Sequence, residues 1–205
     1  MNTPLPPLSS DPNSLQGSLL IAMPGLDDPN FDHSVIYICQ HDEGSAMGLV
    51  LNHPIEGLDF GRMMDELGIE ASDSERVRQK IFNGGPVQND RGFVLHTLDY
   101  CLKDVTLPLA KEAQTTDDAG LGLTATRDIL VDLSEGKGPR DALIALGYAG
   151  WTAGQLEAEI RQNTWLVAPA NQAIIFARDP ARMWEMAIAS LGISPEHLSI
   201  QSGSA

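Results

Sequence analysis

The chain has 205 residues, of which 42% are hydrophobic and 20% charged, with a mean hydropathy of -0.11. That length suits one domain burying roughly 70% of its unfolded surface, and the composition excludes a chain that is mainly disordered. Thirteen Lys/Arg against 28 Asp/Glu give a net charge of -15 and a pI near 4.5, which excludes a general nucleic-acid scaffold or a binder of anionic membranes.

The first basic residue is Arg62 and the last is Arg182, so neither a basic arm nor a charged leader is expected ahead of the domain. Apolar runs such as Gly17 to Met23 are too short to span a bilayer. Cys39 and Cys101 form no CxxC pair. They are read as separate half-buried thiols in a reducing compartment, and the expected location is the cytoplasm.

Residues 1–16 are rich in Pro, Ser and Asn and read as a flexible lead-in, with a PxxP formed by Pro4 and Pro7. Residues 17–200 are expected to be the domain and 201–205 a flexible tail. Ser18 to Met23 reads as a buried strand, Asp27 to Asn30 as a turn. His33 to Gln40 and Ala46 to Leu51 read as a hairpin, apolar on both faces. From Gly57 the period switches: Phe60, Met63, Met64 and Leu67 make a helical stripe, ended by Gly68. Residues 70–80 read as an exposed polar linker or a frayed helix, Asn83-Gly84-Gly85-Pro86 as a turn, Gly92 to Thr97 as a strand, Pro108 to Asp118 as a polar loop and Leu121 to Ala125 as a strand.

Three helices are then expected. Thr124 or Thr126 caps the first, which carries Ile129, Leu130 and Leu133 and ends at Gly136. Pro139 opens the second, with Ala142, Leu143 and Leu146 inward and Gly147 as its stop. Thr152 and Gln155 make a capping box before the third. Trp165 to Val167 and Ile174 to Ala177 read as strands, and Asp179-Pro180 opens a final long helix that ends before Gly192. Strands and helices neither alternate nor segregate, which points to α+β with a mixed sheet.

Chemical motifs are sparse. Gly120 to Ala125 matches G-x-G-x-x-A, but no strand precedes it and its apolar residues alternate, so it reads as a strand entrance. Cys39 and His41 would share a strand face, and are read as a buried thiol beside an exposed imidazole. Asp27, Asp28, Asp32, His33 and His41 match no metal-site spacing, so no metal or cofactor is expected. Glu157 and Glu159 diverge on a helix and read as a solvated face. Arg76, Arg78 and Lys80, flanked by Asp73 and Glu75, read as a mixed surface. Gly147 to Trp151 reads as a connection between two helices. It serves either as an aromatic recognition surface or as a tight turn with its rings in the core, the latter preferred for Trp151.

The strings Gly17 to Pro24, Asp28 to Phe31, Ser34 to Cys39, Ala46 to Pro54, Asn83 to Val87, Arg91 to His96, Leu146 to Trp151, Ala153 to Glu157 and Asn163 to Leu166 follow one another in the order of a known family. Over roughly residues 17 to 200 the chain resembles the AlgH/YqgE family of bacterial proteins. The resemblance implies an α+β domain whose mixed, bifurcated β-sheet folds into a pseudo-barrel with flanking helices. Family members are commonly labelled transcriptional regulators, and the family supplies no catalytic residue or cofactor to carry over.

Two functions therefore compete. One is a regulator acting through a protein partner, since a net charge of -15 and the lack of a basic recognition helix argue against direct DNA contact. The other is an enzyme or small-ligand binder with a cleft formed by Gly-rich loops. Its candidate residues, which would equally serve a partner surface, are Asn52, His53, Asn83, Gly84, Gly85, Pro86, Tyr148 and Trp151. The expected state is a monomer or homodimer.

Overall fold

A computed structural model describes residues 14–71, 76–109 and 120–198. The PxxP, Asp73 and Glu75, the polar loop beyond residue 109 and the tail 201–205 lie outside the described residues. Ten strands form one sheet: β1 (Ser18–Ala22), β2 (Val35–His41), β3 (Ser45–Val50), β4 (Pro54–Asp59), β5 (Lys80–Asn83), β6 (Val87–Thr97), β7 (Leu107–Pro108), β8 (Leu121–Thr124), β9 (Ala142–Thr152) and β10 (Trp165–Pro169). The helices are α1 (Phe60–Leu67), α2 (Arg127–Ser134), α3 (Gln155–Arg161), α4 (Gln172–Ile175), α5 (Met183–Ser190) and α6 (Pro195–Leu198).

The main path runs β10-β1-β2-β3-β9-β6-β8-β7, antiparallel throughout. The sheet forks at β9. On one edge, Ala149 to Thr152 pair with β3, while Ile144 to Leu146 pair in parallel with β5, which carries β4. Opposite, β9 pairs with β6. The sheet is therefore mixed, as the α+β reading expected, and it is bifurcated and curls into a half-barrel, as the family resemblance implied.

One sheet face buries Leu19, Tyr37, Leu49, Leu95 and Ala145 against Ile174, Ile175, Trp184 and Ile188 of α4 and α5. The other face carries two clusters. Ile36, Ile38, Trp151 and Trp165 pack with Leu156 of α3, and Ile81 and Ile144 pack with Phe60 and Met64 of α1 and Ile129 and Leu133 of α2.

Two irregularities switch which residues face which layer. Along β2, Val35, Tyr37 and Cys39 face the α4–α5 layer, then the register shifts between Ile38 and Gln40. His41 lands on the α3 side, opposite Ala46. Along β9, Leu143 and Ala145 face α4–α5, but beyond Gly147 (φ 73) Ala149 and Trp151 face α3. A one-residue irregularity reverses every later side chain of a strand.

The helix expected from Pro139 to Gly147 is instead the start of β9. The run Ala142 to Leu146 is apolar because both faces of this central strand are covered, and such a run meets helical spacing by coincidence. Gly147 to Trp151 accordingly lies inside β9 and joins no helices. Ile174 to Ala177 is not a strand: Asn171 accepts the Ala173 N–H at 2.8 Å and caps α4. The helix expected from Gly57 begins at Phe60, where Asp59 accepts the Arg62 N–H at 2.9 Å. Its stripe holds at Phe60, Met63 and Met64, while Leu67 is 37% exposed. Gly68 (φ 65) closes the helix as expected. The final helix opens with Asp179 accepting the Ala181 N–H and a 3-10 turn at Pro180–Arg182 that runs into α5. Leu121 to Thr124, within the G-x-G-x-x-A match, are the expected strand. Among the described residues no helix is long and apolar enough to cross a membrane.

Candidate functional site

Seven of the eight candidate residues lie at the fork. The Asn83 N–H donates to the His53 carbonyl at 2.8 Å, the Gly84 N–H to that of Leu146 at 2.8 Å, and the Val50 N–H to that of Gly84 at 2.9 Å. Asn52 accepts the Val35 N–H at 2.9 Å and donates to the His33 carbonyl at 2.8 Å. The His53 Nε2–H donates to the Asp32 carbonyl at 3.0 Å, and burial holds this imidazole below its ordinary pKa. The glycines here meet the chain itself. A Cβ on Gly84 would lie 2.3 Å from the Gly147 carbonyl oxygen, and one on Gly85 (φ 146) 2.2 Å from the Tyr148 carbonyl carbon. The fork is thus closed backbone against backbone, with Asn83 and Pro86 exposed at its rim and Tyr148 half-buried edge-on to Phe93.

Trp151 lies apart, on the α3 side. Its indole N–H and that of Trp165 both donate to Glu159 Oε2, each at 2.8 Å. Glu157 reaches the other way: the His41 Nε2–H donates to its carboxylate at 2.7 Å, while His41 Nδ1 accepts the Leu15 N–H at 3.0 Å. The two carboxylates diverge as expected, but each is engaged, so the solvated-face reading is corrected. So is the exposed His41, which is 7% accessible because the β2 register shift turns it onto the α3 side. The expected capping box is corrected: Gln155 Oε1 accepts both the Thr152 N–H and its hydroxyl at 3.1 Å, but Gly154 (φ 72) is the N-cap of α3 and no side chain caps it. Cys39 is buried and Cys101 exposed, neither half-buried, and both are free. Burial pushes the Cys39 thiol pKa up, which makes it inert. Among the described residues no group of three or more His, Cys, Asp or Glu could hold a metal.

A concave site lies beside the fork, and sequence reasoning did not assemble it. A cavity of about 380 Å³ is lined by Arg76, Arg78 and Lys80 ahead of and on β5, by Arg140 and Asp141 before β9, and by Arg178 before the Pro180 turn. Phe82, Leu143, Ile175 and Phe176 supply its apolar wall. Five of the chain's 13 Lys/Arg therefore surround one cavity. Arg76 is fixed by donating to the Pro139 carbonyl at 2.6 Å, and Gln79 by donating to that of Ala142 at 2.6 Å. Arg140 pairs with Asp141 at 2.8 Å. Arg78, Lys80 and Arg178 make no side-chain hydrogen bond or ion pair among the described residues. The Arg76–Lys80 run was the visible signal. What turns it into a site is the arrival of Arg140 and Arg178 from 60 and about 100 positions further on, which periodicity cannot show.

Comparison with known proteins agrees with this architecture. The family model DUF179, described as AlgH-like, matches residues 19–196. A UPF0301 protein of Caulobacter vibrioides is 45% identical over 196 residues, covering 95% of this chain and 96% of that one. One from Jannaschia sp. is 45% identical over 201 residues, covering 98% and 99%. The solution structure of the AlgH protein from Pseudomonas aeruginosa is 40% identical and superposes with a TM-score of 0.68, covering 96% of this chain and 99% of that chain. A crystal structure from Corynebacterium diphtheriae, 18% identical with a TM-score of 0.66 and covering 94% of each chain, shares the fold. With a matched model spanning most of its length and relatives this similar, the chain belongs to the AlgH-like UPF0301 family.

Proposed function

We propose that the protein is a small-anion-binding regulatory protein that acts through a protein partner and does not read DNA directly. The supporting observation is that five cations line one cavity in a chain of net charge -15. An acidic surface repels a long polyanion, whereas a concave cluster of one sign focuses its field on a small one within a Debye length of about 8 Å. The cavity's size lies at the lower end of small-molecule sites, roughly 300–1,000 Å³. The regulatory part of the reading follows the family resemblance. We place the partner contact at the rim of the fork, where Asn83 and Pro86 are exposed next to the cavity residue Phe82, and the setting in the cytoplasm, where free thiols persist.

The test is calorimetric titration with inorganic tripolyphosphate and, separately, with duplex DNA at physiological salt. The expected result is saturable one-site binding of tripolyphosphate, at least tenfold weaker in an Arg78→Ala/Arg178→Ala variant, and no duplex binding. Duplex binding, or tripolyphosphate binding unchanged in the variant, would refute the reading.

A further inference from the structure

From the charge and wall of the same cavity, we infer that its ligand is a nucleotide carrying two or three linked phosphoryl groups. The inference rests on the anion-binding reading above and adds the ligand's class. Arg76, Arg78, Lys80, Arg140 and Arg178 against the single carboxylate Asp141 leave a lining charge of 5 - 1 = +4 among the described residues. A carboxylate ligand brings one negative charge and a single phosphoryl group about 1.5 to 2. Two or three linked phosphoryl groups match the lining. Guanidinium groups suit them, since a planar fork engages two oxygens of one phosphoryl at once.

The cations form only part of the lining. Phe82 is buried, Phe176 is half-buried, and both line the cavity. Both rings pack into the core on one side and line the cavity on the other. An inorganic polyphosphate makes no use of that apolar wall, whereas a nucleobase stacks on an aromatic face whatever its sequence identity. Two parts of the chain each supply both kinds of wall: Arg78, Lys80 and Phe82 lie ahead of and on β5, while Phe176 and Arg178 sit on the segment joining α4 to α5. The G-x-G-x-x-A match at Gly120 to Ala125 plays no part, because it lies on β8 and not in the cavity lining.

The probes are ATP, inorganic tripolyphosphate and adenosine, titrated into the full chain in magnesium-free buffer. The expected result is ATP binding about tenfold or more tighter than tripolyphosphate, with adenosine alone weaker than either. Phe176→Ala is expected to erase the ATP advantage while leaving tripolyphosphate affinity unchanged, and Phe176→Tyr to keep it. If ATP binds no tighter than tripolyphosphate, the nucleotide inference is overturned and the anion-binding reading survives. If neither binds, both fall. ATP binding that is insensitive to both Phe176→Ala and Arg178→Ala would place its site elsewhere and overturn the inference.

Discussion

The fork and the basic cavity lie side by side on β5, with Asn83 in one and Phe82 in the other, yet they use close approach in opposite ways. At the fork, glycines let backbone meet backbone, and the space a ligand would need is taken by Gly147 and Tyr148. At the cavity, long cationic side chains stand around unfilled volume, and three of them have no partner among the described residues. A Gly-rich motif marks where chains come close but not what comes close. Unmatched charge around a concavity is the better indicator of where a ligand would bind.

The sharpest way to break this contrast is to give the fork a side chain. Gly85→Ala forces a Cβ onto the Tyr148 backbone at a left-handed φ, and is expected to cost about 3 kcal/mol or more, read by urea unfolding. Gly92→Ala, whose Cβ would meet nothing nearer than 3.9 Å, is the control and is expected to change stability by no more than about 0.5 kcal/mol. Equal effects would mean the fork is not closed by its own backbone.

The next effect concerns Trp151, which the sequence grouped with the fork residues. Glu159→Ala strands two buried indole N–H groups, and is expected to cost about 2–3 kcal/mol, with Glu159→Gln recovering part of it through its remaining oxygen. A neutral Glu159→Ala would remove Trp151 from the core account.

Acid separates the two regions further. His53 at the fork and His96 both titrate below the ordinary histidine range, mainly because burial disfavours the cation. His96 is fully buried and donates to the Thr97 carbonyl at 2.9 Å, while its Nε2 accepts from the Thr124 hydroxyl at 2.9 Å. A depressed histidine binds protons more readily when unfolded. Its contribution is therefore complete above about pH 6.5 and is lost as pH falls from there through the lowered folded value. Stability is expected to decline over that window, less steeply in His96→Gln. A flat profile would contradict it. The smallest expected stability effect is that of Arg78→Ala and Arg178→Ala, each within about 0.5 kcal/mol, because these exposed cations hold nothing in place. A larger loss would make them structural and undercut the cavity reading.

Much of the first third of the fold could be read in the sequence. Ser18 to Ala22 and Val35 to Val50 carry β-branched runs bounded by Pro24, Asp28-Pro29-Asn30 and Gly44, and these became β1 to β3. β9 was misread because a strand covered on both sides has no alternation to detect, and because Gly147 reverses its faces midway. The same physics hid His41 behind the irregularity at Cys39. Asn52, His53, Asn83, Gly84, Gly85, Pro86 and Tyr148, expected as a ligand or partner surface, lie together at the fork, where the close approaches of Asn83, Gly84 and Gly85 are to other stretches of this chain. The cavity was out of reach because Arg140 joins Arg78 only after the parallel β5–β9 pairing, and Arg178 only after α4 and α5 pack onto the sheet.

The most direct test of the cavity against the fork is an amide chemical-shift titration of the labelled protein with inorganic tripolyphosphate. The account predicts saturable shifts grouped at residues 76–82, 140–143 and 175–180, with Gly84, Gly85 and Gly147 to Gly150 undisturbed. Shifts grouped at the fork, or none at saturating tripolyphosphate, would contradict it.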